Sequence, residues 1–499
     1  MSESHKHLQG RRAPLEMDGA QFRALGHQVV DQIAELLDTM RERPVTRPQM
    51  PSELREQLPA ALPQQGEAAS GLLRDTAEML MQTSLFNGHP KFFGYITSSP
   101  APIGMLADLL ADAINPNVGG WQLSPMASEI EGQTVRWLGD LIGFPAGGGL
   151  LVSGGNMANI TAFFAARRAK LGQQIRAQGV GSLTAPPTVY ASKETHTWLQ
   201  KAADLSGLGT DCLRWIDVDA RGRILTDRLR EAITADRAAG AQPFMLIGTG
   251  GSVSTGAIDP LDELADLAAE EKLWFHIDGA YGAFAAALPE LKDVFAGLGR
   301  ADSIAVDPHK WLYAPLEAGC TLVRDPKHLQ DAFSYTPDYY HFDDEEADPR
   351  INYYEVGMQN SRGFRALKVW LALRQAGREG YVQMIRDDIQ LTRALWEAVD
   401  RTDELEAVHC ELSIATFRYA PDQTPSWVEN REAWLDALNG ELLEALKASG
   451  EIFVSNAMTD GRFLLRACIV NFRTALEDVE ALPEIVLRHA QTLKALKEM

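Results

Sequence analysis

Two short apolar runs, each leading into a charged residue, constrain this chain most. Lys272-Leu273-Trp274-Phe275-His276-Ile277 stops at Asp278, and Ala301-Asp302-Ser303-Ile304-Ala305-Val306 delivers Lys310 through Asp307-Pro308-His309. Runs of this length read as buried strands. Further strand candidates fall at 213–216 and 244–249, with helical patterns at about 226–235 and 261–271 between some of them. Apolar strands alternating with helical stretches imply an α/β fold built on a mostly parallel sheet with helical crossovers. In such a sheet a carboxylate at the end of a buried strand stands beside the ligand crevice. Each residue alone is a weak signal, because a strand-end aspartate is often a helix cap and a loop lysine is usually solvated.

Size and charge narrow the setting. A chain of 499 residues is expected to bury a large core and to divide into more than one domain. A net charge of −21 argues against nucleic acid or an anionic membrane surface as partner. Cys212, Cys320, Cys410 and Cys468 show no paired spacing and the histidines form no ligand cluster, so no metal site is expected and a reducing compartment fits. The opening stretch MSESHKHLQGRR lacks the apolar core of a signal peptide, and no uninterrupted apolar window of about 18 residues occurs. The expected location is cytoplasmic.

Three regions differ in pattern. Asp18 begins the first helix, with Gln21 as its capping-box partner and Phe22, Leu25, Val29, Ile33, Leu36, Leu37 and Met40 as one apolar stripe. Pro44, Pro48, Pro51, Pro59 and Pro63 make the next stretch a largely extended connector, ahead of a helix over 68–82. Such a helix pair has no core of its own, so residues 1–90 are expected to dock on another surface. Residues 91–385 are expected to form the large domain. A helix at 382–400, strands at 412–419 and 463–472, and helices near 428–448 and 475–495 predict a small α+β domain over 386–499. Thr474 and Glu477 read as the capping box of the last helix.

Several connections carry chemistry. Leu150-Leu151-Val152-Ser153-Gly154-Gly155-Asn156-Met157 reads as a strand, a glycine turn and a helix start, where close backbone approach and free N–H groups attract a phosphate. Val189–Ser192 reads as a strand leading to His196 at another helix start, and residues 250–260 link a strand to a helix through several hydroxyls. Leu312 to Val323 reads as a strand pair. Residues 334–360 are polar and acidic, and a loop that long inside a compact domain is usually a lid or disordered. Ser361 starts a strong helix.

A lysine able to form a Schiff base and an acid able to face a pyridine nitrogen are what pyridoxal phosphate (PLP) chemistry needs. HIDGAYG followed by DPHKW, with Lys310 placed 32 positions after Asp278, resembles the group II PLP-dependent decarboxylases, which include aromatic amino acid decarboxylase. The glycine turn is similar to that family's SGGTEAN loop, residues 250–260 to its GTxxTGAxD loop, and Ser361–Trp370 to its (G/S)R-x-FR-(A/S)LK-x-W segment. The resemblance covers roughly residues 20 to 480. It implies an aspartate-aminotransferase-like (fold type I) large domain with a mostly parallel seven-stranded sheet, in a homodimer with its active sites at the subunit interface.

The resemblance also implies roles. Lys310 would hold PLP, Asp278 would keep the ring nitrogen protonated, and His196 would stack on the ring and orient the substrate carboxylate. Gly154, Gly155, Asn156 and Met157 would cradle the phosphate, with Ser252, Ala280, Asp307 and His309 completing the cofactor site. Tyr95, Ile96, Thr97, Ser98, Val118 and Trp121 would face the substrate, while Gly119 departs from the aromatic residue of the animal enzymes. Tyr339, in a Pro-x-Tyr match on the acidic loop, would return a proton to Cα, with Tyr340 as the alternative. Ser361 occupies a position where glycine or serine biases the choice of substrate.

The implied reaction is decarboxylation of an aromatic L-amino acid to the amine and carbon dioxide. An aldehyde synthase is the nearest alternative, and His196 with Tyr339 weighs against it. A decarboxylase of a non-aromatic amino acid such as histidine or glutamate is the second. A transaminase would want an arginine for the substrate carboxylate, and a silent binding protein would not need Lys310, Asp278, His196 and Tyr339 together.

Overall fold

The computed structural model describes residues 13–335 and 350–498, together with residues 5, 9 and 11. Its large sheet contains β1 (Gly148–Val152), β2 (Pro187–Ser192), β3 (Leu213–Ile216), β4 (Gln242–Thr249), β5 (Trp274–Asp278), β6 (Ser303–Val306) and β7 (Gly319–Val323). The order is β1-β7-β6-β5-β4-β2-β3, with β3, β2, β4, β5 and β6 parallel and β7 antiparallel to both β1 and β6. Every residue of β5, β6 and β7 is buried, because helices cover both faces of the sheet. That is why these strands read as continuous apolar runs rather than alternating ones. Phe275, Ile277, Ile304 and Leu322 pack into the core on one face, and Trp274, Met245, Ile247 and Val323 into the core on the other.

A second, fully antiparallel sheet follows: β8 (Leu405–Glu411), β9 (Ile414–Tyr419), β10 (Ser455–Thr459) and β11 (Arg462–Cys468), in the order β10-β11-β9-β8. The helices Arg431–Ser449 and Leu482–Glu498 belong to the same region, and Leu442, Leu446, Val486 and Ala490 share a core with Phe417 and Leu465.

The N-terminal helix Gly19–Thr39 starts as its sequence dictates. The Asp18 carboxylate accepts the Ala20 and Gln21 N–H groups at 2.9 and 2.8 Å, and the Gln21 side chain accepts the Asp18 N–H at 3.0 Å. The second helix runs Ala69–Thr83. Neither helix buries a single residue.

Four expectations need correction. The proline-rich connector contains the short helix Pro51–Glu56, because Pro51 falls at the first helical position, where its missing N–H costs nothing. Leu312 to Val323 holds one strand, β7; the apolar residues before it are buried in a turn that carries Lys310. The helix expected from Ser361 begins at Ala366, and it runs to Asp400 with a break at Gly377, whose φ of 65° no helix accommodates. Thr474 caps nothing: its hydroxyl donates to the Pro90 carbonyl at 2.8 Å, and Asp478 instead accepts the Ala475 N–H at 2.9 Å.

Ser361 to Arg365 stay out of the helix because they are used elsewhere. The Val118 N–H donates to the Arg362 carbonyl at 2.9 Å, and the Arg362 N–H donates to Asn117 Oδ1 at 3.1 Å. The Arg362 guanidinium is fully buried against the equally buried Glu131, with Nη2 2.5 Å from Oε1. Among the described residues no helix is long and apolar enough to cross a membrane. Removing one member of a buried pair strands the other charge, so Arg362→Met should lower unfolding free energy by about 3–5 kcal/mol. Urea denaturation of the purified protein checks this, and a loss below about 1 kcal/mol would show that the pair is solvated.

Candidate active site

The site lies at the carboxyl ends of the central strands. Thr249, Asp278 and Ala305 are register partners on β4, β5 and β6. Side chains alternate along a strand, so Trp274, His276 and Asp278 share one face of β5. A buried polar chain fixes that face to the helix Gly155–Leu171. Trp274 Nε1 donates to Ser303 Oγ at 2.8 Å, Ser303 Oγ meets His276 Nδ1 at 2.8 Å, and His276 Nε2 lies 2.7 Å from Asn159 Oδ1. Burial lowers the His276 pKa to about 4, so the ring is neutral at neutral pH.

Asp278 is held from two sides. Its Oδ2 accepts the Trp198 indole N–H at 2.7 Å and its Oδ1 accepts the Ala280 N–H at 3.2 Å. The lysine-bearing turn is tied to the same segment, since the Asp307 N–H donates to the Ala280 carbonyl at 3.2 Å. Within the turn the Lys310 N–H donates to the Asp307 carbonyl at 2.9 Å and the His309 N–H to the Ala318 carbonyl at 3.1 Å. Lys310 Nζ stands 3.2 Å from Asp307 Oδ2, and His309 Nε2 is 3.6 Å from the same oxygen. His309 Nδ1 accepts the Ala318 N–H at 3.0 Å, which leaves the ring proton on Nε2. Burial lowers the pKa of His309, opposed by Asp307.

These groups open on one cavity of about 380 Å³. Gly154, Gly155, Asn156, Met157, His196, Ser252, Asp278, Ala280, Asp307, His309 and Lys310 all line it. His196 stands at its open side, exposed in the single chain, and accepts the Trp198 N–H on Nδ1 at 3.3 Å. Its Nε2 therefore carries the proton. Partial desolvation lowers its pKa, with Asp278 opposing.

The residues present fit PLP. A Cβ on Gly155 would lie 2.7 Å from Asp307 Oδ2 and 3.1 Å from Ala280 Cβ, and one on Gly154 would lie 3.1 Å from His309 Cε1. Only a bare backbone fits at this turn, and the N–H groups of a helix start face the cavity there. Asp307 Oδ1 is buried with no partner, an acceptor that a bound donor would satisfy.

Other expected residues lie elsewhere. Ser98 is one contact away, its hydroxyl donating to the His309 carbonyl at 2.9 Å. Tyr95 is half exposed against the Phe453 ring, 5.7 Å between centroids. Ile96 and Thr97 are half-buried between them and do not line the cavity. Val118 is buried in the core, Trp121 donates through Nε1 to Glu129 Oε1 at 2.8 Å, and Ser361 is exposed; none of them lines the cavity within one chain. Tyr339 and Tyr340 lie outside the described residues.

The structure adds residues that motif reading passed over. Trp198, two residues past His196 and first in its helix, anchors Asp278. Glu194 lines the cavity with its pKa raised by burial, against a hydrogen bond from Ser254. Arg466 is 3% exposed, donates Nη1 to the Val253 carbonyl at 2.5 Å, leaves Nε unpartnered, and makes no ion pair among the described residues. Its signal was a cation inside the apolar run of β11. Val253 lines the cavity, so a buried, unpaired cation sits one backbone group behind its wall.

Gly155→Ala should weaken PLP retention, since neither Asp307 nor Ala280 can retreat from a Cβ there. Dialysis followed by absorbance near the violet edge of the visible checks it, with far-ultraviolet circular dichroism unchanged. Full retention of the cofactor would show that the cradle lies elsewhere.

Comparison with known proteins agrees with this geometry. Residues 51–420 match the family model described as the pyridoxal-dependent decarboxylase conserved domain. An aromatic-L-amino-acid decarboxylase from Bacillus atrophaeus is 32% identical over 97% of each chain. A phenylacetaldehyde synthase from a Rosa hybrid cultivar is 30% identical, over 96% of this chain and 95% of its own. The structure of a TDC from Oryza sativa, solved with PLP and tryptamine, superimposes with a TM-score of 0.88 at 27% identity, over 97% of this chain and 100% of that one.

Proposed function

The chain belongs to the pyridoxal-dependent decarboxylase family, and we propose that it decarboxylates an aromatic L-amino acid to the amine and carbon dioxide. It is a PLP-dependent lyase. The observation that carries the reading is the convergence of Lys310, Asp278 and His196 on one cavity. Glu194 and Glu317 line the same cavity and oppose an acidic substrate side chain.

Bound PLP supplies the electron sink for the pair left when the Cα–carboxylate bond breaks. In this reading Lys310 would be the residue that holds the cofactor and yields it to the substrate amine, and Asp307 Oδ2 stands 3.2 Å from its Nζ. Asp278, fixed by Trp198 and Ala280, would stabilise the positive charge at the ring nitrogen. The helix start at Gly155 to Met157 receives the phosphate. His196 offers its Nε2–H to the substrate carboxylate, and the buried Arg466 adds a positive field behind Val253. Tyr339 returns a proton to Cα, and the support for it is its place in the Pro-x-Tyr match.

A panel of tyrosine, dopa, tryptophan, phenylalanine, histidine and glutamate, with amine, aldehyde and carbon dioxide measured, tests the reading. An aromatic substrate should be best and yield amine. Lys310→Ala should be colourless and inactive, and Tyr339→Phe should lose amine or divert product to aldehyde. Turnover of glutamate alone overturns the aromatic assignment, and aldehyde from the wild type makes this an aldehyde synthase.

We also propose a homodimer, in the cytoplasm. Phe22, Leu106 and Leu109 are each more than half exposed along an apolar groove between the first helix and the helix Pro102–Ile114. A second copy of the chain would cover this face and bring Trp121 or Ser361 toward a neighbouring cavity. Phe22→Asp should sediment as a monomer and lose activity. A wild type that sediments as a monomer overturns the proposal.

A further inference from the structure

The turn that carries Lys310 is fastened from below by a carboxylate the mechanism does not use. Asp388, in the second part of the helix Ala366–Asp400, is 2% exposed. Its Oδ2 accepts both the Trp311 indole N–H at 2.9 Å and the Tyr313 hydroxyl at 2.7 Å. Both residues follow Lys310 directly in the chain, one and three positions on. The backbone N–H of Asn471, past the end of β11, also donates to the carboxyl. Tyr381 of the same helix donates to the Leu312 carbonyl at 3.1 Å. Tyr313 holds a φ of 55°, in the left-handed region a bulky residue adopts only when its surroundings impose it. Trp311 in turn stacks on Tyr281 at 5.0 Å, three residues past Asp278. One buried carboxyl thus fixes the segment that immediately follows the lysine and, through Trp311, braces the segment that carries Asp278.

We infer that Asp388, as the carboxylate, is the positioning residue for Lys310, holding the lysine-bearing turn through Trp311 and Tyr313. Three donors converge on it, which suits an ionised group; a protonated one loses or weakens a contact. The groups facing it are Tyr313 and Tyr381, both pushed up by burial, Cys468 near the lysine turn, and Asp387 on its own helix. No cation pairs with it among the described residues. Burial pushes its pKa up to about 7, against the pull of its three donors. Burial lowers the pKa of His196 and of His309, so their titration lies on the acid side of this one.

The inference rests on Lys310 being the cofactor lysine, which loss of visible absorbance in Lys310→Ala establishes separately. Holoenzyme kcat, KM and cofactor absorbance are then followed across pH in wild type, Asp388→Asn and Tyr313→Phe. Wild-type kcat should rise through pH about 7 as Asp388 ionises. In Asp388→Asn that limb should vanish, with kcat at least about tenfold lower and KM changed far less, as misplacement of a reacting group predicts. Tyr313→Phe removes one donor to the carboxylate, so the limb should move to higher pH.

The cofactor-free protein gives a readout independent of activity. An unfolded Asp ionises near about 3.9. Ionisation therefore penalises the folded wild type progressively from there to its folded pKa of about 7. The melting temperature of Asp388→Asn relative to wild type should climb over that window and then level off. A neutral limb that persists in Asp388→Asn, a limb unmoved in Tyr313→Phe, or a pH-independent melting difference overturns the inference. If Asp388→Asn does not fold, Tyr313→Phe decides by the direction of its shift.

Discussion

The guanidinium of Arg362 is the point on which this fold closes. It meets Glu131 from the helix Pro125–Ile142, the Leu151 carbonyl on β1 at 2.6 Å and the Val118 carbonyl at 3.1 Å, with the Tyr353 ring 4.7 Å beneath it. Glu131 completes the arrangement by accepting the Leu151 N–H at 2.9 Å. A buried pair of this kind adds little net stability over apolar packing, so what it contributes here is registry. β1 runs directly into the glycine turn, and its position relative to the 118–121 and 361–365 segments is set by this one side chain. The same closure brings the Asn360 carbonyl to 1.9 Å from where a Cβ on Gly119 would stand. No side chain fits at that position, so backbone packing requires glycine there.

The central strands were legible because burial on both faces leaves an unbroken apolar signature, and the charges that interrupt it stand out. Asp278 and Lys310 are such interruptions, and the cavity gathers them with the glycine turn and His196. The same signature misled before β7, where Trp311, Leu312 and Tyr313 are as buried as any strand yet form a turn. An apolar run reports burial and leaves conformation open. β8 and β10 were missed for the opposite reason. They are the edges of the small sheet, β8 half-buried throughout and β10 alternating buried and exposed with polar residues such as Asn456. Trp198, Asn159 and Arg466 were invisible because their roles depend on contacts across 80, 117 and 213 positions of chain.

The positions expected to face substrate behave differently from those expected to face the cofactor, and the reason is geometric. Cofactor groups come from strand ends and turns of one sheet, which a single chain brings together. Val118, Trp121 and Ser361 sit around the Arg362 closure instead, on the same chain but away from the cavity. In the proposed homodimer these residues would serve the neighbouring cavity, and the exposed apolar face near Leu106 would be the surface on which two copies meet.

Charge then separates binding from recognition. His196, His276 and His309 are all pushed toward the neutral form by burial, so at neutral pH Lys310 is the one cation among the described residues lining the cavity, against Asp278, Asp307, Glu194 and Glu317. A phosphate entering there cannot rely on side-chain cations and must be met by backbone N–H groups, which is why the helix start at Gly155 has to be bare. A substrate carboxylate would face the same deficit, and in the proposed reaction Arg466, buried behind Val253 with no ion pair among the described residues, would offset it. An acidic side chain would add a second negative group with no further cation among the described lining residues to receive it. The cavity therefore favours a substrate whose only anion is the carboxylate it is about to lose.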